Sequence, residues 1–198
     1  MSLFTANNRL KVAVICTSNM NRSMEVHSLL NKKGFCIRSF GIGPKVKLPG
    51  PVHDRPNCYD FGVTYDHIYQ DLKLKDEKFY THNGLLHMLD RNKRIKASPE
   101  LFLSAKEKFD ILVTCEERVY DQVTEILDSR RSRTCSLVHV INVNIQDSHE
   151  EATLGAFLVL DLVNRLSESD DLDDEIVDII AEFEHKNDCV VLHSAFFY

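Results

Sequence analysis

Tryptophan is absent from the 198 residues, glycine occurs seven times and proline five. With 43% hydrophobic and 27% charged residues, the composition is that of an ordinary globular protein, long enough for one sizeable core and short for two. Positive charge is not in excess either: 24 basic against 30 acidic residues leave a formal charge of −6. That balance argues against a lysine- and arginine-rich surface reading phosphates, so no direct nucleic-acid partner is expected. No apolar run approaches the roughly 18 to 20 residues of a membrane span, and Met1 to Lys11 lacks the charged start and apolar core of a signal peptide. The expectation is a soluble intracellular protein with no membrane partner. Cysteine pairs at close spacing are missing as well. Cys16, Cys36, Cys58, Cys115, Cys135 and Cys189 are scattered, which makes a disulfide framework or a zinc knuckle a poor reading and gives no metal site.

What is present is an alternation of strands and helices. Lys11 to Cys16 (K-V-A-V-I-C) is apolar, β-branched and short enough for a strand buried on both faces. A polar loop, Thr17 to Arg22, leads into a helical pattern over Ser23 to Lys33 that Gly34 stops. Further strands are predicted at Phe35 to Phe40, Phe109 to Thr114 and Leu137 to Val143, and helices at Glu116 to Leu127, His149 to Leu166 and Leu172 to Lys186. This order predicts an α/β fold with a central, mostly parallel sheet covered on both faces. Gly41 to Pro56 carries four of the five prolines and three of the seven glycines and reads as a long irregular loop. Beyond it, Phe61, Tyr65, Ile68, Tyr69 and Leu72 repeat at helical spacing, and Leu85 to Leu89 forms a short helical patch. Residues from about 44 to 100 thus read as an insertion on a single domain spanning 1–198. The acidic run Ser167 to Glu175 reads as a solvated turn opening the last helix.

The chemistry is concentrated in V-I-C-T-S-N-M-N-R-S, Val14 to Ser23. A cysteine ends a buried strand and an arginine follows six residues later, at the start of a helix. Backbone N–H groups of such a loop converge on an anion, and the helix dipole adds partial positive charge. Thr17, Ser18, Asn19, Met20, Asn21 and Arg22 are therefore candidate phosphate ligands. Arg22 offers a planar fork to two phosphate oxygens. The same field favours an anionic sulfur at Cys16, and Ser23 can donate a hydrogen bond to it. Spacing alone is weak, since roughly one chain in three of this composition would contain it by chance. Context strengthens it: of the six cysteines only Cys16 has an arginine six residues on.

This loop resembles the phosphate-binding loop of the low-molecular-weight tyrosine-phosphatase fold. More closely, the chain is similar to the eukaryotic phosphatases of the RNA polymerase II C-terminal domain that work with the scaffold symplekin in pre-mRNA 3′-end processing. The likeness runs through V-K-L-P-G-P (Val46 to Pro51), N-G-L-L-H-M-L-D-R-N-K-R-I-K (Asn83 to Lys96), T-C-E-E-R-V-Y-D-Q-V (Thr114 to Val123), I-Q-D-S-H-E-E-A-T-L-G-A-F (Ile145 to Phe157) and the terminal Phe197-Tyr198. It implies a three-layer sandwich and, without any cofactor, removal of phosphate from the fifth-position serine of the heptad, with the following serine-proline bond cis. Cys16 would be the nucleophile, Arg22 the phosphate-binding arginine, Asn19 the residue shaping the loop and Ser23 the hydroxyl steadying the thiolate. Asp147 would be the general acid, with helix capping as its alternative role. Relatives commonly carry a second aspartate where this chain has Asn144, and the aspartate-proline pair of the small tyrosine phosphatases is absent. Lys47, Leu48, Pro49, Tyr80 and Met88 are the candidates for the substrate groove. A symplekin-like scaffold, functional coupling to a prolyl isomerase and residence in the nucleus, with the cytoplasm second, are implied in the same way. The alternatives are a small tyrosine phosphatase or arsenate reductase on the same fold, and a non-catalytic scaffold subunit. His87 and His149 read as surface or capping residues, Gly41-Ile42-Gly43 as a turn, and the other five cysteines as packing or surface thiols.

Overall fold

A computed structural model describes residues 10–52, 54–130 and 134–198. Most of the stretch read for a signal peptide, Met1 to Arg9, lies outside the described residues. In chain order β1 (Lys11–Cys16), α1 (Arg22–Lys32) and β2 (Cys36–Gly41) are followed by β3 (Val46–Leu48), β4 (Asn57–Tyr59), α2 (Tyr65–His82) and α3 (Leu85–Ile95). Then come β5 (Ile111–Thr114), α4 (Glu117–Ser129), β6 (Leu137–Val143), α5 (His149–Glu168), α6 (Leu172–Asn187) and β7 (Val191–Phe197). The main sheet has the order β2-β1-β5-β6-β7, parallel except for β7, which runs antiparallel to β6.

Period-two alternation along β1 divides the core. Val12, Val14 and Cys16 share one cluster with Val26 and Leu30 of α1, Val159 and Val163 of α5, and Phe183 of α6. Ala13 and Ile15 point the other way, to Phe40 and to Val119, Val123 and Leu127 of α4. Helices cover both faces, so the strand is apolar throughout, and burying each of Val12, Val14 and Ile15 stabilises the fold by about 1.5–3 kcal/mol. The fold is the three-layer α/β sandwich expected. A third cluster, formed by β3, β4, α2 and α3, reaches Met20 and Met24 and so lies beside the loop that follows β1.

Three local readings change. Gly41 to Pro56 is not wholly irregular: Val46–Leu48 pairs antiparallel with Asn57–Tyr59, a partnership between three-residue segments too short to show a period. Val191–Phe197 is an unanticipated strand at the sheet edge. Its half-buried, mixed sequence becomes a strand through its pairing with all of β6. The strand predicted from Phe109 begins at Ile111. The helical spacing beyond residue 61 becomes α2, which is broken at Asp76, where φ is −164° and ψ 89°, and that side chain accepts from Phe79 N at 2.9 Å to restart the helix. The acidic run does open α6, with Asp171 accepting from Asp174 N and acids in the first turn. Among the described residues no helix is long and apolar enough to cross a membrane.

Candidate active site

Parallel strands leave their carboxyl ends on one edge of the sheet, and three of them deliver the site. Cys16 ends β1, Glu116 follows β5 and Asp147 lies on the loop after β6. The Cys16 sulfur is 3.0 Å from Ser23 Oγ and accepts from Asn19 N at 3.2 Å. Asn19 Nδ2 donates to the same Ser23 Oγ at 3.0 Å, which leaves the serine proton free to point at the sulfur.

Asn19 adopts the left-handed region (φ 54°), a conformation asparagine tolerates, and is fully buried. Its Oδ1 accepts from Glu100 N at 3.1 Å and its carbonyl accepts from Tyr65 Oη at 2.7 Å. The next carbonyl, of Met20, is taken by Asn92 Nδ2 at 2.7 Å, and Arg91 donates to the carbonyls of Met20 and Asn21 while pairing with Glu25. Because C=O and N–H point oppositely in a trans peptide, these outward carbonyls turn the N–H groups of residues 20–22 into the cradle. Helices α2 and α3 thus brace the loop from behind.

Arg22 is only 5% exposed, and its Nη1 donates to Glu116 Oε2 at 3.2 Å and to the Ile145 carbonyl at 3.1 Å. Its Nε is buried without a hydrogen-bond partner among the described residues and stands 3.6 Å from Asp147 Oδ1. Burial disfavours the guanidinium charge, but Glu116, Cys16 and Asp147 outweigh it and raise its pKa. Thr17 Oγ1 donates to Glu116 Oε1 at 2.5 Å. Burial pushes the Glu116 carboxyl up, while the hydrogen bonds from Thr17 and Arg22 pull further the other way and leave it below the usual carboxylate range. The sequence pattern does not single out Glu116, because nothing local distinguishes it from Glu117 beside it.

Asp147 is 61% exposed on the rim. Capping does not explain it, for Ser148 is the cap of α5, its side chain accepting from Glu151 N at 3.1 Å. Asn21 Nδ2 instead reaches across to Asp147 Oδ1 at 3.0 Å and to the Ser148 carbonyl at 3.1 Å. Asn144 is exposed and lines a second cavity with Arg22, Glu116 and Asp147.

The mouth of the cradle opens into a cleft of about 130 Å³. Lys47, Leu48, Pro49 and Met88 line it, joined by Leu85 and His149, which were not among the groove candidates. Tyr80 is corrected: it is fully buried in the α2 core, and its hydroxyl accepts from Asn57 Nδ2 at 2.8 Å under the β3–β4 hairpin. His149 Nε2 donates to the Asn83 carbonyl at 3.1 Å, tying the first turn of α5 to the turn before α3. Gly41 makes a close approach, since a Cβ there would stand 2.6 Å from the Phe61 ring. Cys115 continues the register Ile15↔Thr114 and so neighbours Cys16 across the sheet, with burial holding its thiol well above its ordinary pKa.

A cysteine ringed by inward amides, a buried guanidinium with a free N–H, a serine facing the sulfur and a carboxylic acid at the rim define a cysteine-based phosphatase of the C-x5-R kind. The chain belongs to the Ssu72-like protein family, whose model matches residues 10–198. It is 58% identical over 189 residues to the RNA polymerase II C-terminal domain phosphatase SSU72 of Bos taurus and to that of Homo sapiens, covering 96% of this chain and 97% of each. The human SSU72 like protein 2 is 51% identical over the same lengths. Among solved structures, the serine phosphatase of the RNA polymerase II C-terminal domain from Drosophila melanogaster superposes with a TM-score of 0.94 at 55% identity, covering 96% of this chain and all of that one. The D. melanogaster Ssu72 with symplekin, bound to a cis peptidomimetic of the C-terminal-domain peptide phosphorylated on its fifth-position serine, superposes with a TM-score of 0.93 at 53% identity, covering 96% of this chain and 99% of that one.

Proposed function

We propose that this chain removes phosphate from the fifth-position serine of the RNA polymerase II C-terminal-domain heptad, in the nucleus and together with a symplekin-like scaffold of pre-mRNA 3′-end processing. The observation that carries this reading is the Cys16 sulfur, held between Ser23 Oγ and Asn19 N at the centre of the loop. The sulfur attacks phosphorus, the bond to the serine oxygen breaks, and Asp147 gives that oxygen its proton. A serine alkoxide leaves poorly, which is why an acid at the rim is needed. Water then attacks the phosphocysteine, Asp147 takes its proton, and the sulfur leaves as a thiolate steadied by the Ser23 hydroxyl. Arg22 Nε, which has no hydrogen-bond partner among the described residues, supplies an N–H to a phosphate oxygen.

The peptide enters between β3, with Lys47, Leu48 and Pro49, and α3, with Leu85 and Met88. The relative bound to a cis peptidomimetic supports a cis serine-proline bond in this cleft. That isomer makes up only about 10–30% of a disordered peptide, so turnover couples to a prolyl isomerase. Steady-state phosphate release from a fifth-position phosphoserine heptad and from p-nitrophenyl phosphate, with the wild type beside Cys16→Ser, tests the reading. The wild type should turn over both and Cys16→Ser neither. Substantial activity in Cys16→Ser, or none on the peptide in the wild type, overturns it.

A further inference from the structure

Asn21 occupies the cap position of α1, where an asparagine side chain normally accepts from the N–H groups of the first turn and stabilises the helix start. Here it makes no such bond, and its backbone sits at φ −106°, ψ −81°. The amide instead crosses to the loop after β6, giving its donor to Asp147 Oδ1 at 3.0 Å and to the Ser148 carbonyl at 3.1 Å. Its own Oδ1 is buried without a hydrogen-bond partner among the described residues. A lost cap and an unmatched buried acceptor both oppose stability. Two such costs at one side chain that reaches the rim acid point to a role in the reaction.

We propose that Asn21 is a positioning residue for the acid: its amide holds the Asp147 carboxyl beside the cradle and assigns the transferable proton to Oδ2. The assignment follows from donors and acceptors. Oδ1 already accepts from Asn21 and stands 3.6 Å from the Arg22 Nε, so a proton placed there would face two donors. Oδ2 is the oxygen left to carry it to the leaving group. Asp147 is otherwise exposed, and without this tether the link left between its side chain and the phosphate loop, among the described residues, is the longer ion pair with Arg22 Nε. The proposal rests on Asp147 being the acid, and the experiment separates the two.

Three variants, Asn21→Ala, Asn21→Asp and Asp147→Asn, and the double variant Asn21→Ala/Asp147→Asn are compared on the phosphoserine heptad and on p-nitrophenyl phosphate, whose leaving group needs little protonation. Asn21→Ala should lower kcat on the peptide by about 10- to 100-fold and on p-nitrophenyl phosphate by less, with the loss on the peptide vanishing in the Asp147→Asn background. Asn21→Asp keeps the shape and is an equally good cap, yet places a carboxylate against a carboxylate. Its peptide kcat should be lowest at neutral pH and recover toward acid as the pair takes up a proton, a recovery absent from Asn21→Ala. The other charged or titratable groups around Asp147 among the described residues are Cys16, Arg22, Lys47, Cys115, Glu116, His149 and Glu151, all common to these variants, so the difference between them isolates position 21. An inhibition constant for orthovanadate reports whether the cradle itself survives. Equal losses on both substrates, or the same loss with and without Asp147, overturn the positioning role while leaving the acid intact. Normal peptide turnover in Asp147→Asn overturns the acid assignment itself.

Discussion

Replacing Glu116 by glutamine keeps the size of the side chain and removes the charge that holds Arg22. The carboxylate takes two bonds, from Arg22 Nη1 at 3.2 Å and from Thr17 Oγ1 at 2.5 Å, so the substitution weakens the guanidinium and the loop together. Each charge-assisted bond is worth about 1.5–3 kcal/mol, and leaving a buried cation unpaired costs about 3–5 kcal/mol. Glu116 is 31% exposed and Arg22 keeps the Ile145 carbonyl, so the lower end applies, about 2 kcal/mol. That corresponds to roughly 30-fold in kcat/KM, and to a fall in midpoint temperature of about 4–8 °C for a chain of this size. Because Arg22 serves bound phosphate as well as the transition state, the orthovanadate inhibition constant should rise by a similar factor. The pH dependence has a definite sign. The folded carboxyl titrates below its unfolded value, so its stabilisation is complete above about pH 4.5 and is lost as pH falls through the depressed value. The wild type and Glu116→Gln should therefore differ in urea midpoint at about pH 7 and converge as pH falls through the depressed value. A variant with wild-type kcat/KM and an unchanged inhibition constant would refute the reasoning, and a stability difference that did not shrink as the carboxyl was protonated would refute its electrostatic origin.

His27 is buried, bonded to Ser39 at 2.8 Å, and its pKa is lowered to about 4 by burial first and by Lys96 and Arg38. The unfolded chain takes up the proton near pH 6.5 and the folded chain only near 4, so stability should drop by about 2 kcal/mol between about pH 7 and pH 4.5. His27→Gln should lack that part of the slope, and urea midpoints that fell in parallel for the two proteins would show that burial of a neutral His27 is not its source. For the cis bond, a cis-locked phosphoserine-proline heptad should be cleaved in a single phase and a trans-locked one hardly at all. The natural peptide at high enzyme concentration should show a fast phase followed by a slow one over tens to hundreds of seconds. Adding a phosphoserine-proline isomerase should remove the slow phase, and equal cleavage of the two locked peptides would exclude cis selection in the cleft.

Contiguous chemistry was legible before any fold. The strand Lys11 to Cys16, the loop and the start of the helix at Arg22 follow one another without interruption, and local geometry is enough to bring Cys16, Asn19, Ser23 and Arg22 together. Apolar periodicity likewise located β6 and the starts of α5 and α6, because buried strands and amphipathic helices carry their own signature. Tertiary structure decided whatever depends on partners distant in sequence. Glu116 lies 94 residues from Arg22 and Asp147 lies 126 from Asn21, and only the parallel order β1-β5-β6 sets their strand ends side by side. Tyr80 was misplaced for the same reason: an aromatic residue on an amphipathic helix can line a cleft or fill a core, and the β3–β4 hairpin with Asn57 above it settles which. The edge strand β7 has no strong pattern of its own, and takes its form from the hydrogen bonds that β6 offers along its full length.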